Sequence, residues 1–288
     1  MVASLPQNIQ LKLNQALNQW RQWRCDPPLE RPPQVISILG DGVSNHSILV
    51  EAGRRFVIRI DGIQAANNGL SRATEWRALF TANNAGLAPA PRYFNPELGV
   101  LVCDYLIPAP SYTADPDETA TLLRAIHALP GCHHRLDLSD RIFRYERLLS
   151  HHNIELPLIM KDSRDEIISL LSVLSEEREV AVLCHNDLLA ANRIYSKNSL
   201  WALDWEYCAM GSPWFDLAAI AVGDSMSAQE QQKLVEAYLL GAANEGEGIK
   251  FVRYCNVYRY LELLWYLANK PMSDSITARL AALQSALG

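Results

Sequence analysis

Several features are missing from this 288-residue sequence, and each absence excludes a class of protein. No apolar run approaches the roughly 20 residues that a transmembrane helix needs. Residues 1–20 lack the basic segment followed by an apolar segment that is typical of a secretory signal. The six cysteines are widely scattered, without a CxxC pair or the spacing of a disulfide framework. We therefore expect a cytoplasmic protein with no membrane span.

The sequence also has relatively few basic residues. The chain has 26 Lys and Arg against 32 Asp and Glu, a formal net charge of −6. Because nucleic-acid-binding proteins usually present a basic surface, we expect no nucleic-acid partner. The charge is uneven, since residues 1–103 have a net charge of +3 and residues 104–288 one of −9. This asymmetry would suit an anion bound by the first part and a cation bound by the second, although solvated surface charge is its commoner cause.

The hydrophobic periodicity indicates a change from strands to helices along the chain. Residues 8–24 have apolar side chains at helical spacing. A predicted three-stranded antiparallel meander follows over 35–60, then a helix at about 71–84 and a hairpin over 92–105. A second strand-rich segment covers 180–207. The other predicted helices are at roughly 117–128, 139–150, 161–175, 227–241, 248–269 and 274–286.

The second strand-rich segment contains a motif suited to phosphoryl transfer. His185, Asp187 and Asn192 form an H-x-D-x-x-x-x-N pattern, and two acidic residues, Asp204 and Glu206, follow at the end of the next predicted strand. Transfer to a hydroxyl needs a carboxylate to orient and deprotonate the acceptor, and metal ions to neutralise the phosphate oxygens. Asp187 suits the first task, and Asn192 and Asp204 offer the oxygen ligands that Mg²⁺ prefers. Asp204 and Glu206 are two residues apart on the strand predicted over 200–207, so both side chains leave the same face, beside the metal.

The motif and its surroundings resemble the aminoglycoside phosphotransferase and choline kinase superfamily. The likeness is strongest over 183–219 and covers about 35–270, and it is closest to bacterial choline and ethanolamine kinases and, less closely, to thiamine kinases. It implies an α+β, bilobal protein-kinase-like fold with an N-terminal antiparallel sheet and helix and a mostly helical C-terminal lobe. Residues 1–103 would be the N-terminal lobe, which binds the nucleotide phosphates. Residues 104–288 would be the C-terminal lobe, with the catalytic loop and the metal and acceptor sites.

The resemblance also implies nucleotide contacts in the N-terminal lobe. Arg59 lies where these kinases place the basic residue that contacts the phosphates, and Glu75 matches the helix glutamate that pairs with it. Residues 39–45 resemble the phosphate loop of the family. The implied contacts in this loop are Gly40, Gly42, Ser44 and Asn45. Cys103 and Tyr105 lie in the implied hinge, whose backbone would bind adenine.

Other polar residues of the motif are expected to support the site. His185 and Asp216 would brace the catalytic loop by hydrogen bonds, and direct proton transfer by His185 is the less favoured alternative. His127, at the end of a predicted helix, is expected to be a packed structural histidine. Glu206 is expected to assist as a second metal ligand or as a substrate ligand, with a partly exposed, solvated glutamate at the strand end as the alternative.

Aromatic residues recur on the predicted helix that ends near residue 269. Their spacing favours core packing. The alternative is a wall that binds a cation, because aromatic faces beside a carboxylate hold quaternary ammonium groups. On that alternative the acceptor contacts would be Tyr207, Glu262 and Trp265.

The sequence therefore predicts a kinase that uses ATP and Mg²⁺ to phosphorylate a hydroxyl of a small cationic alcohol. Choline or ethanolamine is the first choice of acceptor, and thiamine or an aminoglycoside is the alternative. Two other classes stay open: a catalytically silent nucleotide-binding adaptor, and a metal-dependent hydrolase whose acceptor is water. The intact Asp187, Asn192 and Asp204 argue against the adaptor. The oligomeric state is left open.

Overall fold

The computed structural model describes residues 5–41, 44–63, 65–110, 112–177, 179–269 and 275–287. Gly42, which the sequence analysis placed in the phosphate loop, lies outside the described residues. Helix α1 (Gln7–Asn18) opens the fold, and its apolar residues at helical spacing are buried on one face. The helix predicted over 8–24 is therefore shorter than expected, and a 3-10 helix (Trp20–Gln22) follows it.

A five-stranded antiparallel sheet comes next. Its strands are β1 (Gln34–Asp41), β2 (Asn45–Glu51), β3 (Arg55–Asp61), β4 (Pro91–Asn95) and β5 (Val100–Asp104), in the order β1-β2-β3-β5-β4. Their register confirms the predicted meander and hairpin. The central strand β3 buries Phe56, Ile58 and Ile60 in a core shared with α1. Because side chains alternate between the two faces of a strand, Arg59 lies on the opposite face.

Helix α2 (Arg72–Asn84) joins this sheet to the helical part of the chain. Ser71 caps its first turn by accepting a hydrogen bond from the Thr74 N–H at 3.3 Å. The helix buries Glu75 at its start. Its later apolar face belongs to the larger hydrophobic core, which the C-terminal helices also build. Since α2 contributes to that core, the division of the lobes at residue 103 stays a prediction.

The rest of the chain is mostly helical, as predicted. Its helices are α3 (Pro116–His127), α4 (Leu138–His151), α5 (Leu158–Glu176), α6 (Pro213–Gly223), α7 (Ala228–Leu239), α8 (Glu245–Asn269) and α9 (Ser275–Leu287). The sequence analysis did not predict α6. Residues 214–221 of this helix are all buried, so it has no polar face and therefore no 3.6-residue periodicity to detect. No helix among the described residues is long and apolar enough to cross a membrane.

Four short strands interrupt these helices. β6 (Val182–Cys184) pairs with β9 (Ala209–Gly211), and β7 (Arg193–Ser196) pairs with β8 (Ser199–Ala202), both antiparallel. The loop between β6 and β7 contains the H-x-D-x-x-x-x-N motif. The segment after β8 returns to this loop, since the Leu203 N–H donates to the Asn192 carbonyl at 2.8 Å.

The prediction that β8 continues through Glu206 is wrong. Asp204 has a left-handed backbone (φ 56°, ψ 68°), and Trp205–Tyr207 form a 3-10 helix. Aspartate tolerates this conformation better than most residues do. The turn lets the Trp205 side chain, 1% exposed, enter the core. The alternation of a strand therefore does not explain where Asp204 and Glu206 point.

Candidate active site

Asp216, in the first turn of α6, holds the start of the loop that follows β6. Its carboxylate is fully buried and accepts hydrogen bonds from the N–H groups of His185, at 2.7 Å, and Asn186, at 2.5 Å. The His127 Nε2 lies 3.0 Å from the same carboxylate. Hydrogen bonds to a charged acceptor are stronger than neutral ones. The geometry therefore fixes the backbone just before Asp187, which agrees with the supporting role predicted for Asp216.

His185 lies beneath the loop, fully buried. Its Nε2 bonds the Leu203 carbonyl at 2.9 Å, and its ring packs against Trp205 with centroids 5.0 Å apart. Burial lowers the pKa of His185, although the carboxylates of Asp216 and Asp204 act in the opposite direction. A neutral ring that donates to a backbone carbonyl suits a brace between the loop and the segment after β8 better than a proton carrier.

Asp187 and Asn192 face each other across the loop. The Asn192 Nδ2 donates to the Asp187 Oδ2 and to the Asp187 carbonyl, each at 2.8 Å. Burial raises the pKa of Asp187 well above its usual value, and the carboxylates of Asp204 and Glu206 raise it further. A carboxylate whose pKa is raised is better matched to proton transfer near neutral pH. The arrangement also directs the Asn192 amide nitrogen toward Asp187, so that its amide oxygen is available to a cation.

Arg59 joins the sheet to the segment after β8. Its Nη1 lies 2.5 Å from the Glu75 Oε1 and 2.5 Å from the Asp204 Oδ1. Burial opposes ionisation of Glu75, but the guanidinium groups of Arg59 and Arg72 outweigh it and lower the pKa of Glu75. The Asn45 Nδ2 lies 3.2 Å from the Asp204 Oδ2. The predicted contact between Arg59 and Glu75 is thus present, and both residues lie beside a predicted metal ligand.

Arg72 is a member of the site that the sequence analysis missed. Its guanidinium contacts three carboxylates: the Asp61 Oδ1 at 2.7 Å, the Glu75 Oε2 at 2.8 Å and the Glu206 Oε2 at 3.0 Å. The spacing of Arg72 and Glu75 by three residues on a predicted helix was the one available signal. The pairs with Asp61 and Glu206 depend on tertiary structure and leave no local pattern.

Glu206 differs from its predicted environment. The expected alternative, a partly exposed glutamate, is wrong, because the residue is 3% exposed and paired with Arg72. Burial and the neighbouring Asp204 carboxylate raise the pKa of Glu206 to about 7, although Arg59 and Arg72 act against them. Glu206 is therefore held inside the site, close enough to Asp204 for the two carboxylates to repel each other.

The oxygen atoms in this region fit a divalent cation. Asp204 supplies a carboxylate and Asn192 an amide oxygen, which are hard ligands of the kind that Mg²⁺ takes. The backbone hydrogen bond between Leu203 and Asn192 holds these ligands next to each other. Burial is the main cause of the raised pKa values of Asp187 and Glu206, and neighbouring carboxylates raise them further; a bound cation would offset this negative charge.

Several of these residues line two cavities. The first, of about 320 Å³, lies between the sheet and the catalytic loop. Its apolar walls would suit a flat base, and Arg59 and Asp204 line it together with Asn192. The predicted nucleotide contacts Gly40, Cys103 and Tyr105 also line this cavity. Ser44 does not, and lines the second cavity instead.

The second cavity, of about 200 Å³, has Asp187 in its wall. The structure brings the predicted acceptor contacts Tyr207, Glu262 and Trp265 together here, and the Trp265 Nε1 donates to the Tyr207 hydroxyl at 2.9 Å. The Glu262 carboxylate is paired with the Arg279 Nε at 3.0 Å. Lining residues that the sequence analysis did not assign to the site are Arg141, Tyr145, Asn186, Leu189, Phe215 and Leu261.

The aromatic residues of α8 divide between the two predicted alternatives. Tyr258, Trp265 and Tyr266 line the second cavity. Tyr254 and Tyr260 are buried in the large core and do not line it. Periodicity could not separate these groups, because both faces of the helix are covered. The cavity wall thus contains aromatic rings and a carboxylate, the combination that holds an ammonium group.

The chain is similar to known proteins in sequence and in fold. A sequence model described as the phosphotransferase enzyme family (APH) matches residues 35–253. Protein LicA of Haemophilus influenzae is 26% identical over 248 residues, which cover 80% of this chain and 71% of that protein. Among solved structures, a choline/ethanolamine kinase family protein from Mesorhizobium loti is 26% identical, with a TM-score of 0.74 over 96% of this chain and 95% of that chain.

A second structural match is more distant in sequence. The choline kinase LicA from Streptococcus pneumoniae is 22% identical, with a TM-score of 0.72 over 88% of this chain and 93% of that chain. A LicA protein has also been solved in complex with AMP, at the same TM-score of 0.72 and 23% identity, over 91% of this chain and 94% of that chain. These matches confirm the predicted protein-kinase-like fold.

Proposed function

We propose that this chain, which belongs to the phosphotransferase enzyme family, transfers the γ-phosphoryl group of ATP to the hydroxyl of a small cationic alcohol, choline or ethanolamine. The observation that carries the proposal is the second cavity, in which Asp187 shares one wall with aromatic rings and Glu262. A hydroxyl near Asp187 and an ammonium group near the rings would occupy the cavity together. The names of the similar choline and ethanolamine kinases support the same acceptor.

Each of these residues would have a separate role in the reaction. Asp187 would orient the acceptor hydroxyl and accept its proton, while Asn192 keeps the carboxylate in place. Arg59, held by Glu75, would position the nucleotide phosphates. Mg²⁺ would be held by Asn192 and Asp204, and when bound it neutralises phosphate oxygens.

The nucleotide would occupy the first cavity, with its phosphates toward Arg59. Gly40, Cys103 and Tyr105 line this space, so backbone contacts to the base and the phosphates would come from the sheet side. The AMP complex of a LicA protein supports a nucleotide site in this fold. Residues 1–103 would thus act mainly on ATP, and residues 104–288 on metal and acceptor.

The size of the second cavity favours a small acceptor. Pockets for drug-sized ligands usually measure about 300–1,000 Å³, whereas this cavity measures about 200 Å³. An aminoglycoside is therefore disfavoured as the acceptor, and thiamine would need the cavity to widen. Because Arg279 offsets part of the Glu262 charge, attraction for an ammonium group would come chiefly from the aromatic faces.

A substrate panel tests the proposal. The chain is incubated with ATP, Mg²⁺ and, in turn, choline, ethanolamine, thiamine or an aminoglycoside, and phosphorylated products are detected by mass spectrometry. We expect phosphocholine or phosphoethanolamine. The matched pair is choline and 3,3-dimethylbutanol, which has the same shape without the charge.

The kcat/KM for choline should exceed that for the neutral alcohol by about tenfold or more, since cation–π contacts contribute roughly 1–2 kcal/mol. Equal use of both alcohols, or phosphorylation of thiamine or an aminoglycoside alone, would reject choline and ethanolamine as acceptors. The assignment of kinase activity would still stand. No phosphorylated product from any acceptor would reject the kinase.

A further inference from the structure

Arg141, in the first turn of α4, is a buried cation in the wall of the second cavity. It is 7% exposed, and its guanidinium carbon lies 5.5 Å from the centroid of the Tyr207 ring. No carboxylate among the described residues lies within 4.0 Å of its nitrogen atoms. Three arginine side chains of similar burial do have such partners, at 2.7 Å or less: Arg59 with Glu75, Arg72 with Asp61 and Arg193 with Asp224.

A buried guanidinium without a counter-ion is costly. Removing one partner of a buried ion pair strongly destabilises a protein, because the remaining charge is uncompensated. Contact with the Tyr207 ring and a hydrogen bond with the Tyr145 hydroxyl recover part of this cost at most. Burial raises the pKa of the neighbouring Tyr145 to about 12 even though Arg141 acts to lower it, so this hydroxyl remains neutral and cannot supply the missing negative charge.

The position of Arg141 relates it to the transfer site. Its ring partner Tyr207 is tied to the catalytic loop, because the Tyr207 carbonyl accepts a hydrogen bond from the Asn186 Nδ2 at 2.9 Å. Asp187 is the next residue, and it lines the same cavity as Arg141. Ser44, which belongs to the segment that resembles a phosphate loop, lines this cavity too. An oxyanion produced at Asp187 would therefore form in a cavity that the Arg141 side chain lines.

We propose that Arg141 binds the phosphoryl group after its transfer, by donating hydrogen bonds to the phosphate oxygens of the phosphorylated alcohol. In the transfer, the acceptor oxygen bonds to the γ-phosphorus while the bond from that phosphorus to the bridging oxygen of ADP breaks, and the hydroxyl proton passes to Asp187. The product then has the oxyanion that the acceptor lacked. The planar guanidinium matches phosphate oxygens well. This inference rests on the proposed function.

The test compares the affinities for acceptor and product. Isothermal titration calorimetry gives the Kd of choline and of phosphocholine for wild type, Arg141→Gln and Arg141→Lys. The matched control is Arg147→Gln, which removes the same charge from an exposed position of the same helix. If ethanolamine is the acceptor that turns over, ethanolamine and phosphoethanolamine replace the choline pair. Circular dichroism checks that each variant is folded.

We expect Arg141→Gln to weaken phosphocholine binding at least tenfold and to change choline binding less than threefold. Arg141→Lys keeps the charge but loses the planar guanidinium, so it should weaken phosphocholine binding by a smaller factor. If Arg141→Gln does not fold, the result for Arg141→Lys tests the proposal instead. Arg147→Gln should bind both ligands as wild type does.

Three results would overturn the inference. Equal losses for choline and phosphocholine would show a structural role. Unchanged phosphocholine binding would remove Arg141 from the product contacts. A loss of phosphocholine binding in Arg147→Gln as large as that in Arg141→Gln would show a general effect of helix charge rather than a contact made by Arg141. A different result would reject the proposed function, namely that the wild-type chain phosphorylates none of the acceptors.

Discussion

The Asp216→Asn substitution tests how the catalytic loop is held. The change preserves shape but replaces one carboxylate oxygen with an NH₂ group, which cannot accept a hydrogen bond. The carboxylate accepts from two backbone N–H groups, those of His185 and Asn186. At least one of these hydrogen bonds is lost. The buried backbone N–H that made it then points at the NH₂ group of the new asparagine, which is also a donor.

The magnitude follows from these contacts. A hydrogen bond to a charged group contributes about 1.5–3 kcal/mol, and a buried polar group left unsatisfied costs about 1–3 kcal/mol. We therefore expect the free energy of unfolding to fall by roughly 3 kcal/mol or more. In a chain of 288 residues, where the unfolding entropy at Tm is about 0.6 kcal/mol/K, a loss of about 3 kcal/mol lowers the Tm by roughly 5 °C.

Thermal unfolding followed by circular dichroism measures this change, and Asp162→Asn is the matched control at an exposed position. Because Asp187 directly follows the two anchored residues, kcat should also fall by about tenfold or more in the variant that remains folded at the assay temperature. A Tm for Asp216→Asn within about 2 °C of the control, with wild-type kcat, would refute the claim that Asp216 anchors the loop.

Three further substitutions test the site residues. Asp187→Asn should leave the Tm nearly unchanged and lower turnover by about a hundredfold or more, as expected on losing a general base; near-wild-type turnover would remove Asp187 from its role. Asp204→Ala should raise the Mg²⁺ concentration needed for half-maximal activity, and an unchanged metal titration would contradict the metal assignment. Arg72→Gln should lower the free energy of unfolding by about 3–5 kcal/mol, because it leaves Glu206 buried without its partner; a wild-type denaturation midpoint would argue that the network is dispensable.

Local patterns in the sequence predicted most elements of the fold. The antiparallel meander, the hairpin and most helices have alternating or helical periodicity, and the structure confirms them. Helix α6 was missed because it is buried on every side. The strand through Glu206 was wrong because the left-handed turn at Asp204 is determined by the packing of Trp205, which no alternation of polar and apolar residues records.

The residues of the candidate site, too, could be predicted from the sequence only in part. Residues within one motif, such as Asp187 and Asn192, could be selected from their spacing, and the structure places them in contact. Arg72 and Arg141 could not, since their significance depends on which carboxylates lie near them in space. Arg72 is surrounded by three such groups, whereas Arg141 has none within 4.0 Å among the described residues. The catalytic and binding roles of all these residues stay predictions.

The most direct test of the central claim is the ratio of products formed from ATP. The chain is supplied with ATP, Mg²⁺ and choline, with ethanolamine in a parallel reaction, and ADP, inorganic phosphate and phosphorylated alcohol are quantified together. If the chain is a kinase, one molecule of phosphorylated alcohol should form for each molecule of ADP. The amount of inorganic phosphate should not exceed that in a control reaction without the alcohol. ADP with an equal amount of inorganic phosphate and no phosphorylated alcohol would identify a hydrolase, and no ADP at all is the result expected of a catalytically silent protein; either result would contradict the account.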